Sequence, residues 1–268
     1  MKLDISSVAG FDLRLDTDTL QLESCSGMRF TRATRTVSRL KNVLRSPDVG
    51  TPDRELYHMF NLAYAPKSIQ ATLDGYDLTF SPVLVLPGTV EREFIKTNGH
   101  YHPAIPGSSY SYPELNTQFH GKLLLFLQKL NRLNPETPED CVLIQMTPGV
   151  TVAIPPDYAH VLINPSNDLA LMAGLYNVSF GPDYAEVERH QGLAYYILDG
   201  NGDIVVEANV RYVNAPPLLR PVDIAGTPFA PPDPGLPLWQ SFLANPNKYA
   251  FLSEPEAIQN YIRLTRQR

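Results

Sequence analysis

An all-β fold, built as a barrel or sandwich of short strands, is the class this 268-residue sequence predicts, and three observations carry the prediction. Between Glu55 and Tyr176, short apolar runs alternate with Gly, Pro, Asn and Asp, the punctuation of many turns. The chain holds 25 prolines and only 19% charged residues, which disfavours long helices because proline lacks the backbone donor that helical bonding needs. The run Asp199-Gly200-Asn201-Gly202-Asp203 separates two apolar segments, 194–198 and 204–208, as a hairpin turn does.

In chain order, residues 1–35 alternate weakly, as in Phe11-Asp12-Leu13-Arg14-Leu15, and read as one or two peripheral strands. Val37, Leu40, Val43 and Leu44 recur at helical spacing before Ser46-Pro47, which predicts one short helix or turn. The central runs 55–61, 78–86, 93–97, 121–130, 142–146, 150–154, 161–164 and 169–176 then supply the strands of the main domain, taken as 36–214. Eight prolines within residues 215–237 are too many for a continuous ladder and predict an extended strap. Helical spacing returns at 238–243 and 254–264. This C-terminal extension, 215–268, is too small for its own core and should pack on the barrel or on a second subunit, with Trp239 as its packing anchor.

Composition narrows the function. With 22 Lys+Arg against 28 Asp+Glu the net charge is −6, which argues against bulk nucleic-acid binding. No run approaches the ~20 apolar residues of a membrane span, and Cys25 and Cys141 lack the spacing of a zinc site or disulfide framework. A soluble cytoplasmic protein is the expectation.

The chemistry concentrates in Thr97-Asn98-Gly99-His100-Tyr101-His102-Pro103. On an extended strand residues i and i+2 share a face, so His100 and His102 can reach one ion. Glu114 follows in Tyr112-Pro113-Glu114, and His160 in Ile154-Pro155-Pro156-Asp157-Tyr158-Ala159-His160, each beside a strand. Three imidazoles and a carboxylate suit one divalent transition metal with positions open to substrate or water. Isolated histidines are commonly surface or hydrogen-bonded residues: His58 is read as structural, His120 as a surface residue and His190 as solvated among Glu186, Glu188 and Arg189. Lys96, alternating with Thr97, should point away from the pocket.

These residues resemble a known family, the cupins, and within them the archaeal-type glucose-6-phosphate isomerases. The likeness runs from about Val37 to Tyr212 and includes Leu86-Pro87-Gly88, the Thr-x-Gly-His-x-His stretch, Tyr112-Pro113-Glu114 with Gly121, the segment through His160 with Asn164, and Pro182-Asp183-Tyr184. The resemblance implies a double-stranded β-helix, or jelly-roll barrel. His100, His102, Glu114 and His160 match the family's metal ligands, and Glu114 also matches its proposed base. Iron(II) is the implied metal, with zinc, manganese or nickel accepted. Thr97 and Gly99 match sugar-phosphate contacts, Tyr57 and Tyr176 match pocket tyrosines, and Tyr184 completes the substrate-binding set. A homodimer is implied as well.

The implied reaction interconverts glucose 6-phosphate and fructose 6-phosphate, by proton transfer or by a metal-assisted hydride shift. Three positions depart from the family: Asn116 stands for a tyrosine, Val83 for a phosphate-side threonine and Pro182 for a pocket histidine. The segment 103–113 is also longer than the family's connection and forms a lid or an exposed loop. Two other functions stay open at this point: a cupin enzyme acting on another sugar or as an oxygenase, and a non-catalytic sugar-binding cupin.

Overall fold

A computed structural model describes residues 1–47, 50, 52–179, 181–221 and 223–266. The first three strands, β1 (Lys2–Asp4), β2 (Arg14–Asp16) and β3 (Gln21–Glu23), form a small antiparallel sheet. They are followed by β4 (Arg29–Thr36), β5 (Glu55–Tyr64), β6 (Leu78–Val85), β7 (Thr89–Val90), β8 (Glu93–Phe94), β9 (Glu114–His120) and β10 (Leu123–Lys129). Then come β11 (Asp140–Met146), β12 (Thr151–Ile154), β13 (Tyr158–Ile163), β14 (Ala170–Asn177), β15 (Tyr195–Asp199) and β16 (Ile204–Ala208). The largest sheet has the order β12-β9-β14-β6-β5-β4; the others run β11-β10-β13 and β16-β15-β8-β7. The fold is thus mostly antiparallel β, as the sequence predicts.

Alternation along the six-stranded sheet explains what its two faces do. In β14, Leu171, Ala173 and Leu175 join one apolar cluster, whereas Ala170 and Met172 join the other, and Gly174 and Tyr176 line a cavity. In β9, Leu115 and Phe119 take the first direction and Glu114 and Asn116 the second. Period-2 geometry therefore sends polar residues into the barrel from strands that are buried on both sides.

The outer face of this sheet is covered by both ends of the chain. Trp239, 2% exposed, lies with its ring centroid 4.9 Å from Phe80 and 5.6 Å from Phe11. Phe242, Tyr249, Leu252 and Ile258 extend the same cluster, alongside Leu13, Leu15 and Met28 from the N-terminal segment. The C-terminal helices span Leu238–Ala244 and Pro255–Arg266, matching the helical spacing read from the sequence.

The proline-rich strap makes ladder bonds only where proline is absent. The Leu143 N–H donates to the Leu219 carbonyl at 2.8 Å, and the Leu219 N–H donates to that of Cys141 at 2.9 Å, so the strap covers the edge of β11. Ten residues on, the Phe229 carbonyl accepts from the Ala153 N–H at 2.8 Å, at the edge of β12. One segment thereby closes an edge of each facing sheet, where unpaired backbone groups invite non-native pairing.

One expectation needs correction, and one helix was not foreseen. His190 is 4% exposed rather than solvated: it stacks on Tyr212 with centroids 4.3 Å apart, and its Nδ1 bonds the Glu186 carbonyl at 2.9 Å. A helix at Lys67–Asp74 escaped the sequence reading because Leu73 is its one buried apolar residue. Lys96 does turn away from the cavity, pairing with Glu93 at 2.6 Å and the Val43 carbonyl at 2.7 Å in a buried setting.

Candidate metal centre and substrate cavity

The two halves of the barrel face each other across a cavity of about 290 Å³. Glu114 opens β9 on the six-stranded sheet, and His160 projects from β13 on the opposing one. Bridges bring the intervening loop against these walls: the His160 N–H donates to the His100 carbonyl at 3.2 Å, and Tyr101 exchanges two 2.9 Å backbone bonds with Asp183. His100 and His102 are delivered to the same end of the cavity.

The four side chains gather tightly. One potential ligand atom from each of His100, His102, Glu114 and His160 lies within 4.8 Å of all the others. Glu114 Oε2 stands 3.2 Å from His102 Nε2 and 3.7 Å from His160 Nε2. Burial holds the His100 and His160 imidazoles well below the ordinary histidine value, which keeps lone pairs available for an ion. The Tyr112 carbonyl accepts a hydrogen bond from His102 Nδ1–H at 2.7 Å, which leaves Nε2 turned toward Glu114. Neutral imidazoles, an inward carboxylate and an oriented ring form a donor set that fits a divalent transition metal.

The long 103–113 segment is what presents that carbonyl. Ala104 bridges Ser111, the Ile105 N–H bonds the Tyr110 carbonyl at 2.9 Å, and Ser111, 2% exposed, accepts the Asp157 N–H at 2.6 Å. The segment is a folded clip against the end of the cavity that holds His102 and Glu114 rather than a free loop.

All five residues assigned to substrate by the sequence reading, Tyr57, Thr97, Gly99, Tyr176 and Tyr184, line the cavity. Thr97 is fixed by paired bonds with Leu162, its N–H donating at 2.9 Å and its Oγ1 accepting at 3.0 Å. Gly99 has φ +78°, and a side chain there would collide with Val161 Cγ2. Burial pushes the Tyr57 phenol up to about 12, against the opposing pull of the Asn98 N–H and Arg35. Burial also raises Tyr176 and Tyr184, so the three phenols remain protonated donors at neutral pH. Ser81 meets the Tyr176 hydroxyl at 2.9 Å.

Sequence reasoning missed Arg35, Ser81 and Asn98. Arg35 pairs with Tyr57 across the β4–β5 ladder at a register irregularity, and its charge acts on the phenols of both Tyr57 and Tyr184. Such an irregularity re-aims a side chain; no local sequence signal announces it. The three departures Val83, Asn116 and Pro182 also line the cavity.

The family model for glucose-6-phosphate isomerase (GPI) matches residues 34–214. A glucose-6-phosphate isomerase of Thermococcus litoralis is 32% identical over 137 residues, 51% of this chain and 65% of that protein. One of Pyrococcus abyssi is 31% identical over 152 residues, 56% of this chain and 73% of that protein. Among solved structures, an oxalate oxidase aligns over 47% of this chain and 52% of its own, with 19% identity and a TM-score of 0.33. The Drosophila melanogaster CENP-C cupin domain aligns over 44% and 67%, with 8% identity and a TM-score of 0.30. The alignment thus spans somewhat less than two thirds of the Thermococcus relative.

Proposed function

The chain belongs to the glucose-6-phosphate isomerase family, and from that membership we propose a metal-dependent aldose–ketose isomerase that interconverts glucose 6-phosphate and fructose 6-phosphate. The observation that carries the reading is the convergence of Glu114 with three imidazoles at one end of a cavity whose other walls carry Thr97, Gly99 and three protonated tyrosines.

In this proposal His100, His102, Glu114 and His160 hold iron(II), or another divalent ion of similar preference, and the bound ion supplies a Lewis acid next to the sugar's reacting oxygens. The remaining work falls to the chain. Glu114 takes the proton from the carbon beside the carbonyl, that C–H pair becomes the C=C bond, and the carbonyl π pair moves onto oxygen. Return of the proton to the former carbonyl carbon gives the ketose, while the hydroxyl proton passes to the neighbouring oxygen. Thr97 and the Gly99 turn hold the phosphate, Arg35 contributes the positive charge that the cavity lining lacks, and Tyr57 and Tyr184 donate hydrogen bonds. A homodimer and a cytoplasmic location belong to the same proposal.

The test is conversion of fructose 6-phosphate by protein reconstituted separately with iron, zinc, manganese and nickel. Turnover should vanish with a chelator, and Glu114→Gln should lower kcat by roughly 10²–10⁴-fold. No turnover with any of the four metals overturns the proposal. A second reading, a related enzyme for another substrate, draws on Val83, Asn116 and Pro182 in the cavity lining. Metal-dependent oxygen consumption with a small-molecule substrate, in place of isomerisation, would select it.

A further inference from the structure

Asn116 is 0% exposed, lines the cavity, and has no protein hydrogen-bond partner at either Nδ2 or Oδ1. An amide left this way costs stability, because its desolvation is not offset by bonding. Its neighbours show that the arrangement is built. Asn116 follows Glu114 by two residues on the same face of β9, and across the ladder it meets Gly174 of β14. A Cβ at position 174 would lie 2.5 Å from Glu114 Oε1 and 3.1 Å from Asn116 Oδ1. The missing side chain therefore leaves carboxylate and amide room side by side.

The chemistry of the amide restricts what it can bind. It offers donors and an acceptor together, whereas a phosphate dianion presents acceptors alone and would oppose Oδ1. An α-hydroxy-carbonyl group fits: its carbonyl oxygen accepts from Nδ2 and its hydroxyl donates to Oδ1. We propose that Asn116 binds the hydroxy-carbonyl end of the open-chain sugar and holds its reacting carbon against Glu114, so that it determines specificity for that functional group. The inference rests on the isomerase reading. As Glu114 removes the carbon-bound proton and charge moves onto the carbonyl oxygen, the Nδ2 hydrogen bond strengthens, while Oδ1 keeps the adjacent hydroxyl proton aligned for its passage between the two oxygens.

This role separates from a structural one by the sign of a stability change. Asn116→Leu removes an unbonded buried amide at similar volume, so the metal-loaded variant should melt at a higher temperature than wild type in the absence of sugar. The same variant should lose roughly ten- to hundred-fold in kcat/KM for fructose 6-phosphate. It should also lose most of the thermal stabilisation that arabinonohydroxamate 5-phosphate, a mimic whose carbonyl accepts and whose N-hydroxyl donates as the hydroxy-carbonyl end does, gives to wild type. Asn116→Ala should lose the activity and the stabilisation in the same way, which covers a leucine variant that does not fold. Wild-type kcat/KM and undiminished stabilisation by the mimic in both variants overturn the inference. So does a lower melting temperature for the leucine variant with mimic binding intact. Failure of wild type itself to turn over the sugar phosphate refutes the isomerase reading instead, and the two failures are read from different samples.

Discussion

Gly174→Ala is a single methyl group placed where Glu114 and Asn116 meet. Gly174 lies within β14 and its φ is outside the left-handed region, so alanine is allowed by the backbone and should gain about 0.4–1 kcal/mol through the unfolded state. The new Cβ would stand 2.5 Å from Glu114 Oε1, 3.1 Å from Asn116 Oδ1 and 3.4 Å from Tyr176 Cδ1. To restore ordinary contact the carboxylate oxygen must retreat by about 1 Å. Because that oxygen ends a flexible side chain, the retreat costs the fold little. It costs the site far more, since ligand oxygens sit at about 2.0–2.2 Å from a zinc-like ion, and a 1 Å misplacement of a reacting group is worth roughly a hundred-fold in rate. We expect kcat/KM for fructose 6-phosphate to fall about a hundred-fold, metal content after dialysis to drop, and the melting temperature of the metal-free protein to stay level or rise. Full activity with full metal content would refute the reasoning about Glu114. An activity loss accompanied by a collapsed melting temperature would show that the strand moved rather than the side chain.

Other perturbations test other parts of the molecule. Trp239→Ala should cost about 3–5 kcal/mol by chemical denaturation, because a ring 2% exposed against Phe80 and Phe11 leaves a large cavity; a cost below about 1 kcal/mol would show that the C-terminal cover is dispensable. Arg35→Ala should raise KM for fructose 6-phosphate roughly ten-fold, with a smaller change in kcat, since a charge-assisted bond to phosphate is lost; an unchanged KM rejects its phosphate role. Burial lowers the His58 imidazole below its ordinary value of 6.5, so the unfolded chain binds more protons as pH falls through that value. Stability should therefore decline from about pH 6.5 downward until the folded group also protonates, and His58→Phe should flatten that part of the profile; an identical slope in melting temperature between pH 7 and pH 5 would exclude this contribution.

The four residues of the candidate metal site were legible in the sequence, most plainly where the signal is local and periodic. His100 and His102 share a face by spacing alone, Glu114 and His160 stand in motifs beside strands, and likeness to a family matched all four. The hairpin of β15 and β16 was equally plain, since its glycine-rich turn announces itself. Contacts made through backbone or across long sequence separations were hidden. The Tyr112 carbonyl that orients His102 carries no side-chain signature, and the segment presenting it reads as a loop. His190 sits in a run of charged residues whose pattern says solvent, yet Tyr212, distant along the chain, stacks upon it. Arg35 belonged to a stretch read as peripheral, and only the pairing of β4 with β5 brings it beside Tyr57.

The covering of the six-stranded sheet by the segment after residue 237 has a consequence for biosynthesis. Phe60, Phe80, Phe119 and Leu171 are translated well before Trp239, Phe242 and Tyr249, their partners in one cluster. A polypeptide emerging from the ribosome can pair its strands while this wall of greasy side chains still lacks its C-terminal cladding, the condition under which nascent proteins aggregate or recruit chaperones. Translation through the closing helices, more than assembly of the barrel, sets the moment at which the newly made protein becomes safe from its neighbours.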